Sequence, residues 1–340
     1  MVFADLLRPT PEGLYCPIGD FHVDPTRPVA RAVITHAHAD HARSGHDKVL
    51  ATPETLAIMA VRYGDGFASQ TQALQFGETV GINGVDVALA PAGHVLGSAQ
   101  VIVEYEGTRI VVSGDYKRRA DPTCAGFTPV PCDVFVTEAT FGLPVFVHPD
   151  DRGEIAKLMA SLETFPERAH LVGAYALGKA QRIIRLIRET GYDRPIFIHG
   201  ALQKLCDLYE DHGIELGPLE PATLDQKGAR GRKNDFAGRI IVGPPSAFAD
   251  TWARRFPDPI TCFASGWMRV RQRAKQRGVE LPLVISDHAD WPELTDTISE
   301  IAPQEVWITH GRDDALARWA ELKGFVARPL ALVGYEDEGE

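Results

Sequence analysis

The segment RAVITHAHADHARSGH, residues 31–46, constrains this chain more than any other. An apolar run at 32–34 leads straight into His36, His38, Asp40 and His41. In extended backbone, residues i and i+2 point to the same side, so His36 and His38 reach one ion together at the open end of a buried strand. Asp40 and His41 follow where the chain has to turn, and they address a second position a few ångströms away. Imidazole and carboxylate are the usual ligands of zinc and similar divalent ions. In hydrolytic two-metal sites the ions lie roughly 3.5–4 Å apart. A lone histidine is more often a core or surface residue, but four ligand-type side chains in six positions after a strand point to metal.

More donors stand at other strand ends. APAGHVLGSAQ gives His94 after the apolar run VDVALAP, RIVVSGDY gives Asp115 where a carboxylate can bridge two ions, and EVWITHG gives His310. Taken singly, a His or Asp followed or preceded by Gly at a strand end is ordinary turn chemistry. Taken together they favour ligation. Of the twelve histidines, His36, His38, His41, His94, His288 and His310 lie beside Gly, Asp or another ligand type at or near a strand end. His46, His148, His170, His199 and His212 read as structural, and His22 is undecided.

At 340 residues the chain is long enough for two compact units. Short apolar strands alternate with turns and helices throughout. The expected helices are 53–63, 151–164, 178–190, 201–211, 246–256, 291–301 and 313–322, with start signals at Thr52-Pro53 and at Asp290. Strands dominate to about residue 140; from 150 to 280 helix–strand alternation predicts a parallel sheet covered by helices. No linker separates the two patterns, so the second unit reads as an insertion into the first.

Composition, 44% hydrophobic and 24% charged, is that of a soluble globular protein. No window approaches the roughly 18 apolar residues of a membrane span, and the N-terminus lacks the basic start and apolar stretch of a signal peptide. Five cysteines without a CxxC pair suggest reduced thiols and a cytoplasmic setting. The formal net charge of −11 argues against a nucleic-acid partner, but two local stretches are basic: Lys227, Arg230, Arg232 and Lys233, and Arg269, Arg271, Arg273, Lys275 and Arg277.

THAHADH resembles the HxHxDH signature of the metallo-β-lactamase fold, an αββα sandwich that binds metals at one edge. The other motifs of that fold are matched by Asp24 in FHVDP, with Asp20 as its rival, by His94 in AGHVLGS and by Asp115 in SGDY. The insertion is similar to that of the β-CASP nucleases. DVFVTEATF, VISDHADW and WITHG resemble their three added motifs and place Glu138, His288 and His310, and GAYALGKAQRIIRLI resembles a helix-opening segment they share. Overall likeness is greatest to bacterial ligase-associated DNA exonucleases, with Artemis, RNase J and the polyadenylation endonuclease as relatives.

The resemblance implies a metallo-β-lactamase domain from 1–142 and 284–340 and a β-CASP domain from 143–283, a parallel sheet flanked by helices. It implies two divalent ions, zinc by default and manganese as an alternative. His36, His38 and His94 would hold one, Asp40, His41 and His310 the other, and Asp115 both. His288 is then the general acid, with metal ligation as its other reading. Glu138 and Asp24 would each hydrogen-bond an imidazole, and Asp40 joins this catalytic set. The basic stretches would line a slot for single-stranded DNA in bacterial repair, alongside an ATP-dependent DNA ligase and a helicase. His310 points the other way, since RNA-processing members have histidine there and DNA-specific ones often valine. A small-molecule hydrolase needs no large insertion, and a non-catalytic scaffold would have lost ligands.

Overall fold

Strands that read as continuous apolar runs do so because both their faces are covered. A computed structural model describes residues 3–222, 236–249, 251–311 and 313–330, with backbone alone at 249, 310 and 313. In it, Ile110, Val112, Val134, Val136 and Trp307 face one core, while Val111, Phe135, Val306 and Ile308 face another. These residues alternate along the neighbouring strands Thr108–Val112, Val134–Ala139 and Glu305–Gly311.

The chain gathers into two compact units, Met1–Val147 with His288–Gly339, and His148–Asp287. The first holds two sheets. One runs in the order Arg8–Thr10, Gly13–Cys16, Phe21–Val23, Arg31–Val33, His46–Ala51, Ala68–Ala73. The other runs Val326–Pro329, Glu305–Gly311, Val134–Ala139, Thr108–Val112, Ala99–Tyr105, Val85–Pro91, Thr79–Ile82. Val23, Val33 and Leu50 of the first sheet share a core with Val87, Val101, Val103 and Val136 of the second, so the sheets pack face to face. Helices Trp291–Ile301 and Asp313–Leu322 cover the second sheet through Leu294, Ile298 and Leu316. Helix Pro53–Tyr63, capped by the Thr52 hydroxyl that accepts from the Thr55 amide at 3.2 Å, lies against the edge strand of the first. The layers are therefore helix, sheet, sheet, helix, as the αββα expectation has it.

Strand direction sets where the donors gather. Val85–Pro91 and Thr108–Val112 are both antiparallel to Ala99–Tyr105 and so run the same way. Val134–Ala139 and Glu305–Gly311 are parallel to Thr108–Val112. The C-terminal ends of these strands line one edge of the sheet.

The second unit has a six-stranded, all-parallel sheet in the order Leu219–Pro221, Ile196–Ile198, Ile240–Gly243, His170–Gly173, Ile260–Ala264, Leu281–Leu283. Helices Asp151–Thr164, Lys179–Glu189 and Gln203–Asp211 alternate with it. The helix expected at 246–256 is instead two short 3₁₀ turns, Pro245–Ala249 and Ala253–Arg255. Phe248, Trp252 and Phe256, whose four-residue spacing suggests a helix, do share one core, and packing rather than helical periodicity brings them there. Conversely, the basic stretch contains a helix, Arg271–Gln276, that its sequence does not announce. Among the described residues no helix is long and apolar enough to cross a membrane.

Candidate metal centre

The HxHxDH segment leaves its strand and winds once. After Arg31–Val33, the His38 carbonyl accepts from the His41 amide at 3.2 Å and the Ala42 amide at 2.7 Å. That turn brings Asp40 and His41 around to the side of His36. Beneath it Asp24 accepts three hydrogen bonds. The Thr35 amide donates to it at 2.7 Å, the Thr35 hydroxyl at 2.5 Å, and His41 Nδ1 lies 2.8 Å away. Asp24 has a left-handed backbone, φ 44°, which aspartate tolerates better than most residues. Asp20, the rival, is exposed and accepts from the Tyr15 phenol, so Asp24 is the carboxylate under the loop.

Thr35 fixes a tautomer. Its single hydroxyl proton goes to Asp24, so at 3.0 Å His36 Nδ1 must be the donor to the hydroxyl oxygen. The His36 Nε2 lone pair then faces inward. That atom is buried and has no hydrogen-bond partner, and the same holds for Asp40 Oδ1. Buried polar atoms without partners are costly and rare. An imidazole lone pair buried within 4.8 Å of the donor atoms of His38, His94 and Asp115 fits a divalent cation.

Four of the expected ligands, His36, His38, His94 and Asp115, offer atoms all within 4.8 Å of one another. His94 Nε2 is 2.9 Å from His38 Nδ1. Asp115 Oδ2 lies 3.4 Å from His36 Nε2, 3.4 Å from His41 Nε2 and 3.7 Å from His94 Nε2, and Asp40 Oδ2 is 3.5 Å from His41 Nε2. One oxygen of Asp115 thus touches both the His36–His94 group and the Asp40–His41 group, the place a bridging carboxylate must hold. His310 lies in the strand Glu305–Gly311, and its side chain is outside the described residues.

Two glycines permit this approach. Gly93, φ 76°, precedes His94, and a Cβ on it would stand 2.3 Å from the Lys117 carbonyl oxygen. Gly114, φ 56°, precedes Asp115, and its Cβ would stand 2.7 Å from Thr35. The His94 loop is tied by Ser98, whose hydroxyl accepts from the amides of His94 and Val95 at 3.0 and 3.1 Å. Thr35 and Ser98 escape sequence reasoning because hydroxyls are common beside turns; the adjacency of Thr35 to His36 was the signal available.

Burial, and then the charge of His41, holds His36 down to about 4. Burial likewise pulls His94 well below the ordinary histidine range, reinforced by the neighbouring imidazoles. Burial acts in the same sense on His41, but Asp115 and Asp40 outweigh it and raise His41 well above that range. Burial opposes the charged form of Asp40, and the imidazoles, His41 first, nevertheless lower it. The site thus presents neutral imidazoles on one side and a concentration of anionic oxygen on the other.

Glu138 and His288 form a second pair beside Asp115. Glu138 Oε1 accepts from the Tyr116 amide at 2.8 Å, and Oε2 lies 2.9 Å from His288 Nδ1. His288 Nδ1 is 4.0 Å from Asp115 Oδ2, and Asp115, Glu138 and His288 also make a group of metal-competent spacing. The ligand reading of His288 therefore stands beside the general-acid one, though its Nδ1 is already engaged by a carboxylate.

Lys227, Arg230, Arg232 and Lys233 lie outside the described residues. Arg269, Arg271 and Arg273 are exposed in the second unit, with the Arg273 guanidinium 3.9 Å above the Trp267 ring.

No family model matches the chain. It is similar to a probable DNA ligase of Opitutus terrae, 28% identical over 324 residues, which cover 93% of this chain and 30% of that protein. It is similar to cleavage and polyadenylation specificity factor subunit 3-I of Arabidopsis thaliana, 22% identical across 84% of this chain and 52% of that protein. An endoribonuclease YSH1 of Eremothecium gossypii is 30% identical over 205 residues, 55% of this chain and 25% of that protein. The chain spans about half, or less, of the length of these relatives. Among solved structures, a protein of unknown function from Enterococcus faecalis V583 superposes with a TM-score of 0.62 at 15% identity, covering 92% of this chain and 81% of that one. With a helix–sheet–sheet–helix sandwich, donors at one sheet edge and an inserted parallel-sheet unit, the chain has the fold of a metallo-β-lactamase sandwich with a β-CASP insertion, and its similarity to these relatives supports a β-CASP nuclease.

Proposed function

We propose that the protein is a metal-dependent nuclease, a phosphodiesterase of two divalent ions, acting as an exonuclease on single-stranded DNA ends in repair. The observation that carries this reading is the convergence of His36, His41 and His94 on one Asp115 oxygen, with His38 grouped beside them and Asp40 against His41. His36, His38 and His94 would hold one ion, Asp40, His41 and His310 the other, and Asp115 both. When bound, such a pair supplies Lewis acidity toward water and toward the phosphate.

The chain's own residues do the rest. Asp24 and Thr35 engage Nδ1 of His41 and His36, which leaves each Nε2 as the atom that would hold an ion. Glu138 holds His288 through Nδ1, which favours the protonated ring and leaves the Nε2 proton for the departing 3′ oxygen. The exposed Arg269, Arg271 and Arg273 are the proposed phosphate contacts. Zinc suits the His and Asp set by default, and manganese fits it too.

DNA is favoured by the match, over 93% of this chain, to a protein named as a probable DNA ligase, which also motivates association with an ATP-dependent ligase and a helicase. The second reading, an RNA nuclease of the same branch, draws on His310 and on the endoribonuclease and polyadenylation relatives. Digestion of end-labelled DNA and RNA oligonucleotides with each divalent ion in turn separates them. Shortening of single-stranded DNA from one end supports the first, preferential cleavage of RNA supports the second, and inertness toward both with zinc or manganese bound overturns the nuclease reading.

A further inference from the structure

A buried ion cluster in the second unit has no part in the proposed metal centre. Arg182, on helix Lys179–Glu189, is 1% exposed, a rare burial for arginine. Its guanidinium donates to the Asp151 carboxylate and the Ser286 carbonyl, and to Asp287 Oδ1 at 3.1 Å. Lys179, one helical turn earlier and fully buried, puts its ammonium 3.6 Å from Asp287 Oδ2. Asp151 stands just inside the start of this unit at His148, and Asp287 is the residue at its return. Arg182 therefore ties together the two chain segments by which the unit begins and ends, and a single peptide bond separates the second of them from His288.

The other side of His288 is held by its own unit. The Ala289 amide donates to the Tyr116 carbonyl at 2.6 Å. Asp290 caps helix Trp291–Ile301 and is bound by Arg119 at 2.5 Å. His288 sits between two anchored aspartates, and both anchors are arginines.

We infer that Arg182, supported by Lys179, is a positioning residue for His288, fixing the backbone of 286–287 so that the imidazole keeps its place against Glu138. The catalytic half of this inference rests on the reading of His288 as general acid. Arginine suits the task because one planar guanidinium serves a carboxylate on one chain segment and a carbonyl and carboxylate on the other, whereas lysine presents a point charge.

The test compares Arg182→Gln and Arg182→Lys with the parent by hydrogen exchange and by cleavage of a DNA oligonucleotide. Both variants are expected to bind the parent's complement of metal. Exchange in peptides covering 284–289 should quicken about tenfold or more, with the strands 108–112 and 134–139 unchanged. Cleavage should fall roughly 10–100-fold, as when a partner behind a functional side chain is lost. In a His288→Ala background the same Arg182→Gln change should cost no more than about twofold, since a residue acting through another loses its effect when that other is gone. Should Arg182→Gln fail to fold, Asp151→Asn/Arg182→Gln/Asp287→Asn removes the three charges together and reads the same peptides. Unaltered exchange at 284–289 overturns the inference whatever the protein cleaves, and so does a full cleavage loss that persists without His288. Quickened exchange in a protein whose cleavage ignores His288→Ala leaves the positioning in place and sinks the general-acid reading alone.

Discussion

Asp115 and His288 are close neighbours with opposite expected behaviour, and that contrast is the sharpest test at the residue scale. One Asp115 oxygen lies within 3.7 Å of three imidazoles, which makes it the proposed bridge between the two ions. Asp115→Ala should lose bound metal as well as cleavage. His288 is turned by Glu138 and reaches the site from its edge. His288→Ala should keep both ions and lose about 10²–10⁴ in cleavage rate, the range for a proton donor. Metal content by elemental analysis checks both, and one ion missing from His288→Ala makes that residue a ligand. Asp115 stood out in sequence as a carboxylate just past an apolar strand beside glycine, whereas His288 in SDHADW came forward through the motif it resembles. Thr35 was not legible, since its part lies in a hydrogen bond between Asp24 and His36 that only the fold brings together.

At the scale of elements, the loops after strands hold the donors and are packed to backbone contact. Gly114→Ala forces a left-handed alanine and a Cβ 2.7 Å from Thr35, beside Asp24 and His36. The strain is of order 1–3 kcal/mol, and relieving it moves Asp115. The expected result is a folded protein with weakened metal retention, checked by dialysis against a competing chelator; unchanged retention would mean the loop has slack. The second unit offers a pH test on strand His170–Gly173. Burial lowers His170 below the ordinary histidine value, while its Nε2 pairs with the Ser161 hydroxyl. The folded state then binds the proton less readily than the unfolded chain, whose histidine titrates near ~6.5. Stability from this group is present above that pH and is lost as pH falls below it. His170→Gln should flatten the fall of the melting temperature on the acid side of about 6.5, with little change above it. Strands buried on both faces were legible as apolar runs. Ala68–Ala73, reading ASQTQA, was not, because an edge strand exposed along most of its length carries no apolar signal.

For the whole molecule, the formal charge of −11 sits poorly with a polyanionic substrate unless the positive field is local. Arg271 and Arg273 project from a short exposed helix, so Arg271→Gln/Arg273→Gln should weaken binding to DNA of any sequence and reduce the slope of log affinity against log salt by about 0.7 per lost phosphate contact on a single strand. An unchanged slope makes that helix an ordinary surface. The candidate metal donors among the described residues, His36, His38, Asp40, His41, His94 and Asp115, together with Glu138 and His288, all belong to the first unit, and none to His148–Asp287. Binding to the folded form alone stabilises by about 4 kcal/mol when free ion is a thousandfold above its dissociation constant. Chelation should therefore speed hydrogen exchange in the first unit, most at 34–42, 92–98 and 113–117, and leave the parallel sheet of the second at its former protection. A second unit that loosens equally on chelation would mean that the ions sustain the fold of both, and the donors gathered at one sheet edge would then be too few to account for it.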